Sequence, residues 1–119
     1  MIFSAGIDIV YIARLVESVN DNAFLDRLLT DKERGYIFTK RDPYRHLAGR
    51  FAAKEAVMKA LGTGWDKGVG WRDIEIVNMP SGRPIPLLHS RAALLSQNKK
   101  VLLSLSYAKD IAVAFAIVE

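Results

Sequence analysis

The charged residues best suited to chemistry stand in one apolar segment, which holds Lys54, Glu55 and Lys59. At about 100° per residue, a helix over this segment gathers small side chains on one side and large apolar ones on the other. The helix is therefore predicted to be mostly buried, with Lys54 inside the large apolar side and Glu55 at its edge. Because an unpaired buried charge is costly, each of these charged residues needs a counter-charge or a functional role.

Two interpretations of these helix charges stay open from their spacing alone. The structural one is an ion pair, because Glu55 and Lys59 stand four positions apart on the helix. The functional one is a carboxylate and two ammonium groups that face a cleft. Such a group could hold a metal ion and a polyphosphate together.

A second carboxylate, Asp8, lies near the end of a segment with the two-residue alternation of a β-strand. The face of this strand that is predicted to enter the core carries Phe3, Ala5, Ile7 and Ile9. Asp8 lies on the other face, where its ordinary role would be a helix N-cap or a solvated strand end. If Asp8 instead converges with Glu55, the two carboxylates suit Mg²⁺, which typically takes one or two carboxylates together with waters and substrate phosphates.

The residues at the end of the long helix give a weaker signal. Gly62, Thr63 and Gly64 follow its last apolar residue. Their backbone N–H groups could reach a phosphate. A glycine C-cap is the commoner meaning of such a sequence.

Elements in the first half of the chain must position these residues. The pattern predicts a strand over 2–10, helical spacing over 12–19 and a short helix over 24–29 with a cap near Asp21. Thr30 and Glu33 form a capping box that starts another helix. Asp42 and Pro43 suit the N-cap and first turn of the longest helix, which is predicted to run to about Leu61.

The second half has the pattern of antiparallel strands. Strands are predicted over 74–77 and 85–88, a short helix over 92–95, and a closing hairpin that joins 101–106 to 111–118. Trp65 and Trp71 flank a glycine-rich loop and are interpreted as packing anchors. The order of elements predicts one α+β domain over residues 1–119, with N-terminal helices packed on a mainly antiparallel sheet.

Length and composition agree with one folded domain, since 50% of the 119 residues are hydrophobic and 25% are charged. The absence of cysteine excludes disulfides, thiolate metal sites and cysteine nucleophiles. The longest apolar run, 111–118, is far shorter than the ~20 residues of a membrane helix. The first residues lack a signal-peptide pattern. A soluble cytoplasmic protein is expected, and the net charge of +4 favours anionic partners.

Several motifs, in order along the chain, resemble one known family. The first is GIDIV at 6–10 followed by Arg14, and the most specific begins with LAGRFAAKEA at 47–56 and continues to Gly64. The other matching segments are 24–30 with Glu33, 73–76, 81–84, 104–106 and 112–114. On these motifs the chain resembles the short bacterial phosphopantetheinyl transferases, the holo-acyl-carrier-protein synthases.

The resemblance implies transfer of 4′-phosphopantetheine from coenzyme A to a serine of apo-acyl carrier protein in fatty acid biosynthesis. Adenosine 3′,5′-bisphosphate would be the other product. The resemblance also implies that Asp8 and Glu55 hold Mg²⁺ and that Lys59 neutralises phosphate charge. Glu55 would accept the serine proton, directly or through a water. The expected contacts with coenzyme A are Lys54, Lys59, Gly62, Gly64, Ser106 and Tyr107.

The family further implies a homotrimer with active sites between neighbouring subunits. An acidic carrier protein would give the basic charge of this chain a specific use, because opposite charges favour encounter. Arg14 is the first candidate to meet the carrier, and Arg27 and Arg45 are weaker ones. No nucleic acid and no membrane are expected as partners.

The chain departs from the family pattern at one position. The family usually has histidine directly after the Ser-x-Ser of the last hairpin, whereas this chain has Tyr107. A titrating imidazole is therefore not available there, which keeps open a degenerate family member that binds coenzyme A without transfer. A basic RNA-binding module is the rival from another class, and it would need exposed aromatic residues interleaved with basic ones.

Overall fold

The computed structural model describes residues 1–19, 22–63 and 67–119. Within them the strands are β1 (Ser4–Tyr11), β2 (Ile74–Asn78), β3 (Pro84–Leu88), β4 (Val101–Ala108) and β5 (Ile111–Val118). The α-helices are α1 (Ile12–Ser18), α2 (Asn22–Leu28), α3 (Asp31–Ile37), α4 (Pro43–Leu61) and α5 (Ser90–Ser96). A 3₁₀ turn over Trp71–Asp73 precedes β2. The cap predicted near Asp21, together with Gly64 and Trp65, lies outside the described residues.

Two antiparallel sheets contain the strands. β5 lies between β1 and β4, and its register with β1 sets Asp8 opposite Ala114. β2 and β3 pair with each other. Pro84 and Pro86 of β3 have no N–H to give to a ladder, which suits a strand at the edge of a sheet. The predicted α+β class, with helices against a mainly antiparallel sheet, is confirmed.

The hairpin of β4 and β5 is tighter than predicted. β4 continues to Ala108, and only Lys109 and Asp110 separate it from Ile111. Lys109 takes a positive φ of 39°, as the favoured two-residue hairpin turns require. Tyr107 is therefore a paired strand residue and not part of a loop.

Helix α4 begins and ends where its local signals predict. The Asp42 side chain accepts a hydrogen bond from the backbone N–H of Arg45 at 3.3 Å, and Pro43 fills the first turn. Gly62 ends the helix in the left-handed conformation at φ 69°. The helix lies against β1 and β5 and is mostly buried, as predicted. None of the helices in the described part of the chain is both long and apolar enough to cross a bilayer.

The face of β1 that enters the core is the opposite of the predicted one. The residues predicted to be buried are exposed, namely Phe3, Ala5, Ile7 and Ile9. The other face, with Gly6 and Val10, is buried against α4. Space is the physical reason, because a Cβ at Gly6 would overlap the carbonyl oxygen of Ala56. Only a strand face with small side chains lets the two backbones approach this closely.

The exposed side of the sheet forms one apolar surface. Ile7 of β1 lies opposite Phe115 of β5, and their side chains are 55% and 40% exposed. We call this surface the outer sheet face, and it comprises Phe3, Ala5, Ile7, Ile9, Tyr11 and Phe115. Contiguous apolar surface of this kind marks an interaction site in soluble proteins.

The contact between β1 and α4 makes a prediction for stability. Gly6→Ala should destabilise the protein by about 3 kcal/mol, because the added methyl group meets backbone atoms that cannot move aside easily. Gly35→Ala is the matched control: Gly35 lies within α3 with open space around its Cβ position, so this variant should gain roughly 0.5–1 kcal/mol. Urea unfolding measures both, and a Gly6→Ala midpoint equal to that of the wild type would contradict the close approach.

Candidate active site

Asp8 and Lys59 join β1 to α4 by a direct ion pair. The Nζ of Lys59 donates to Asp8 Oδ1 at 3.1 Å and to the carbonyl oxygen of Ile7 at 2.9 Å. The Asp8 side chain is only 17% exposed, whereas that of Lys59 is 57% exposed. Since an ammonium group has three hydrogens to donate, Lys59 keeps one for a ligand on its open side.

Glu55 lies one helical turn before Lys59 and adds the second carboxylate. Burial, and after it the charge of Asp8, raises the pKa of the Glu55 carboxyl. The neighbouring Trp71 side chain and the charge of Lys59 act in the opposite direction on this pKa. The ion pair of Lys59 is thus formed with Asp8 across two elements, and not with Glu55 along the helix. We call Asp8, Glu55 and Lys59 the charged cluster.

The donor set of the charged cluster fits a hard divalent cation such as Mg²⁺. Its two carboxylates supply the oxygen ligands that this ion prefers. The described residues contain no group of three or more metal-ligating side chains. A cation would therefore complete its shell with waters or phosphate oxygens, which is how Mg²⁺ is usually held. It would also relieve the repulsion that helps to raise the pKa of Glu55.

Lys54 does not join the charged cluster, because its side chain points into the interior. The buried ammonium donates to Glu33 Oε1 at 2.7 Å and to the carbonyl oxygens of Leu28 at 2.6 Å and Trp71 at 3.1 Å. These acceptors use all three of its hydrogens. The prediction that Lys54 lies inside the apolar side of α4 is confirmed. The structure gives Lys54 a role in holding elements together instead of the expected phosphate contact.

Glu33 is the counter-charge of Lys54 and has further partners of its own. Its Oε1 accepts from the Thr30 backbone N–H at 2.9 Å, which is part of the predicted capping box. Its Oε2 accepts from the backbone N–H of Ile76 at 2.9 Å. Burial lowers the pKa of Lys54, and the charge of Glu33 opposes that shift. This one ion pair therefore connects α2, α3, α4, the 3₁₀ turn and β2.

The end of α4 is a helix cap in the described residues. The N–H of Gly62 donates to the Lys59 carbonyl oxygen at 3.1 Å, and that of Thr63 donates to Met58 at 3.0 Å. Both N–H groups are used within the chain, so Gly62 offers none to a phosphate. The expected contact through Gly64 lies outside the described residues. Of the two meanings of this sequence, the C-cap is the one that the geometry supports.

Ser106 and Tyr107 face opposite sides of the sheet, as neighbours on a strand do. The Tyr107 hydroxyl lies against Gly49 of α4, where a Cβ would overlap it. The Arg45 guanidinium stacks over the Tyr107 ring, 4.7 Å from its centroid. Burial raises the pKa of the Tyr107 hydroxyl, so the phenol is neutral near pH 7. Ser106 is exposed and pairs with Val113 of β5. Within one chain, the two residues expected to contact coenzyme A therefore lie on opposite faces of β4.

The basic residues expected to meet a carrier protein lie on three elements. Arg14 is exposed on α1, and it lines a cavity of about 240 Å³ together with Phe51 of α4. Phe51 precedes Glu55 by one helical turn, so the cavity lies on the same side of α4 as Glu55. Arg27 is exposed in the last turn of α2, and Arg45 is half-buried at the start of α4.

Sequence reasoning missed two residues near the charged cluster. Trp71 was expected only to pack, and its ring does lie 5.7 Å from the ring of Phe51. Its carbonyl oxygen also accepts a hydrogen bond from the buried Lys54 ammonium at 3.1 Å, a contact for which no local sequence signal exists. Glu33 was recognised only as a cap. A buried Lys54 requires a carboxylate partner, but only the fold shows which one it is.

Comparison with known proteins identifies the class. The model of the 4′-phosphopantetheinyl transferase superfamily matches residues 4–116. A holo-[acyl-carrier-protein] synthase from Protochlamydia amoebophila (strain UWE25) is 40% identical over 119 residues, which cover 98% of each chain. The crystal structure of the synthase from Neisseria meningitidis has a TM-score of 0.89 and 36% identity, with 100% of this chain and 99% of that chain covered.

A second solved relative, from Bacillus anthracis strain Ames, is a complex with CoA (3′,5′-ADP). It has a TM-score of 0.85 and 37% identity, and the comparison covers 100% of this chain and 97% of that chain. Fold and matched residues thus define a 4′-phosphopantetheinyl transferase. Within that superfamily, the chain belongs to the holo-[acyl-carrier-protein] synthases, which are enzymes.

The buried ion pair makes a second prediction for stability. Lys54→Met should cost about 3–5 kcal/mol, because it leaves the Glu33 carboxylate buried without a counter-charge. Lys32→Met on the exposed side of α3 is the control and should stay within about 0.5 kcal/mol of the wild type.

A double-mutant cycle with Glu33→Gln tests whether the two charges act as a pair. The double variant should lose clearly less than the sum of the single losses, since neither charge is then left alone. Strictly additive losses in urea unfolding would show that Lys54 and Glu33 do not depend on each other.

Proposed function

We propose that this enzyme transfers 4′-phosphopantetheine from coenzyme A to a serine hydroxyl of apo-acyl carrier protein with the help of Mg²⁺. The serine oxygen bonds to the phosphorus that carries pantetheine, the bond from that phosphorus to the bridging pyrophosphate oxygen breaks, and adenosine 3′,5′-bisphosphate leaves. The observation that carries the proposal is the charged cluster at the junction of β1 and α4, in a chain of this family.

Asp8 and Glu55 are the residues that would hold Mg²⁺. When bound, the ion would neutralise negative charge on the pyrophosphate. Phosphoryl transfer depends mainly on positioning and on charge stabilisation, with little covalent chemistry by the protein. The two carboxylates suit the positioning role because one stands on a paired strand and the other on a buried helix.

Lys59 would supply further charge stabilisation from the protein itself. Its ammonium is already oriented by Asp8 and the Ile7 carbonyl oxygen. Its third hydrogen can therefore meet a phosphate oxygen that arrives from the open side. Held in this way, the lysine needs little reorganisation when charge develops.

Glu55 is the proposed acceptor of the serine proton. Burial and the neighbouring charge of Asp8 raise the pKa of its carboxyl, which makes it a stronger base than an ordinary carboxylate. The proton would pass to Glu55 directly or through a water.

The remaining coenzyme contacts are proposed on β4. A neutral Tyr107 can donate one hydrogen bond but carries no charge, so its contribution would be orientation and support of the stacked Arg45. Ser106 is exposed on the other side of the strand, so its contact needs a ligand that lies between neighbouring copies. Lys54 and Gly62 are left out of the proposed coenzyme site because their donors are used within the chain.

A homotrimer is the proposed assembly, and the outer sheet face is the surface that supports association. Its apolar side chains are largely exposed in the described chain, as the exposure of Ile9 at 59% illustrates. A second copy of the chain would remove them from water. An acidic carrier would dock at Arg14 beside the cavity at Phe51, with Arg27 and Arg45 as further candidates.

The activity is tested by incubation with coenzyme A, Mg²⁺ and apo-acyl carrier protein, followed by mass spectrometry of the carrier. A mass gain of one phosphopantetheine group is expected. Asp8→Asn and Glu55→Gln should each lose more than about a hundredfold in rate, because each loses an anionic oxygen needed for charge stabilisation. Asp31→Asn, an exposed carboxylate of α3, should keep the wild-type rate.

Two results of this assay would contradict the proposal. Full activity in excess chelator would exclude the Mg²⁺ site. Binding of coenzyme A without a mass gain on any apo-carrier would instead identify the chain as a degenerate family member.

The assembly is tested by light scattering. The wild type should have three times the mass of one 13.3 kDa chain. Ile9→Glu should dissociate it, since a charge in the outer sheet face would be buried without a partner. Leu94→Glu is the matched control, because Leu94 is an equally apolar residue on α5 with 70% exposure. A trimer unaffected by Ile9→Glu would show that the interface between subunits lies outside the outer sheet face.

A further inference from the structure

The Lys59 ammonium occupies one oxygen of the Asp8 carboxylate. Both of its acceptors belong to β1, since Nζ donates to Asp8 Oδ1 at 3.1 Å and to the Ile7 carbonyl oxygen at 2.9 Å. Lys59 also stands in the last turn of α4, where the helix dipole favours a positive charge. The strand and the helix together therefore set the position of this ammonium beside Asp8.

This ion pair changes the charge that an arriving cation meets. The Lys59 side chain is 57% exposed and that of Asp8 only 17%, so the ammonium is the partner more open to solvent. In the charged cluster, the ammonium offsets one of the two carboxylates and leaves a single net negative charge. Because like charges repel more strongly at a partly buried site than in bulk water, Lys59 opposes the binding of a divalent cation at Asp8.

A pyrophosphate group changes this balance. The third hydrogen of the Lys59 ammonium can meet a phosphate oxygen, and the negative charge of the phosphates offsets the repulsion between Lys59 and a cation. Mg²⁺ itself prefers to be held by a few carboxylates together with substrate phosphates. The cation and the pyrophosphate should therefore each bind more tightly when the other is present, and by the same factor.

We propose that Lys59 is an internal counter-cation of Asp8, which keeps the affinity of the charged cluster for a lone divalent cation low and thereby couples metal binding to the binding of coenzyme A. The inference rests on the proposed Mg²⁺ site and deepens it, because it gives Lys59 an effect on the metal that is opposite in sign to that of the carboxylates. Lys59 attracts the pyrophosphate and repels the cation, so the cluster selects the two together.

Binding of Mn²⁺ to the protein alone tests this effect without coenzyme or carrier. Lys59→Met removes the charge and keeps an unbranched side chain. In electron paramagnetic resonance titrations this variant should bind Mn²⁺ about tenfold more tightly than the wild type, because the repulsion is lost. Lys59→Arg keeps the charge and should keep the weak binding. Lys32→Met, on the exposed side of α3, is the matched control and should stay within about twofold of the wild type.

A second neutral variant keeps the test valid if Lys59→Met disturbs the junction of β1 and α4. Lys59→Gln retains an N–H donor for the strand and loses only the charge, so it too should bind Mn²⁺ more tightly. The sign of the change is decisive. A lysine that merely held the strand on the helix would, once removed, leave the carboxylates less ordered and weaken Mn²⁺ binding.

The same titrations with coenzyme A measure the coupling. After correction for the Mn²⁺ that coenzyme A binds in solution, saturating coenzyme A should tighten Mn²⁺ binding to the wild type about tenfold or more. In Lys59→Met this gain should be clearly smaller. Calorimetric titration of coenzyme A with and without Mn²⁺ should return the same factors, because coupling between two ligands is reciprocal.

The outcomes separate this inference from the function on which it rests. If Glu55→Gln leaves Mn²⁺ binding in the presence of coenzyme A unchanged, the proposed metal site fails, and the role of Lys59 fails with it. If Glu55→Gln removes that binding but neither neutral Lys59 variant binds Mn²⁺ more tightly than the wild type, the metal site stands and the inference is overturned. Tighter binding in Lys59→Arg as well would also overturn it, because the charge would then not be the cause.

Discussion

The candidate site depends on how closely β1 lies against α4. Gly6 allows the approach because it has no side chain to meet the carbonyl oxygen of Ala56. Hydrogen bonds then fasten the two elements, from the Ser4 hydroxyl to Ala60 and from Lys59 to the strand. Only at this separation can a carboxylate on a strand share its electrostatic environment with one on a helix. The candidate active site therefore depends on one backbone contact.

Two neighbouring residues of α4 have separate roles, one in the protein interior and one at the candidate site. Lys54 and Glu55 are about 100° apart around the helix, so one ammonium reaches inward to α3 while the next carboxylate faces β1. The inward charge is tolerated because every hydrogen of Lys54 has an acceptor. A helix fixed on its buried side by Glu33 can present Glu55 with little freedom of its own, which is what a preorganised site requires.

The parts of the fold that could be predicted from the sequence are those set by local chemistry. The capping box at Thr30, the start of α4 at Asp42 and its end at Gly62 each depend on residues within one turn. The burial of β1 could not be predicted in the same way, because alternation separates two faces without showing which one meets α4. Glu33, the carboxylate partner of Lys54, stands 21 positions away in the chain, and Trp71 follows a loop. No local signal therefore predicts the contact of either residue with Lys54. The convergence of Asp8 and Glu55 was proposed from their chemistry, yet only the packing of the strand on the helix brings them together.

The contact between Gly49 and Tyr107 has a consequence for how related chains can differ. The tyrosine hydroxyl fills the volume that any β-carbon at position 49 would need. A side chain at position 49 is therefore compatible only with a shorter residue at position 107, and neither change is independent of the other. These two positions, far apart in the chain, should covary among homologues, and a substitution that is harmful alone at one of them should become tolerable when the other changes with it.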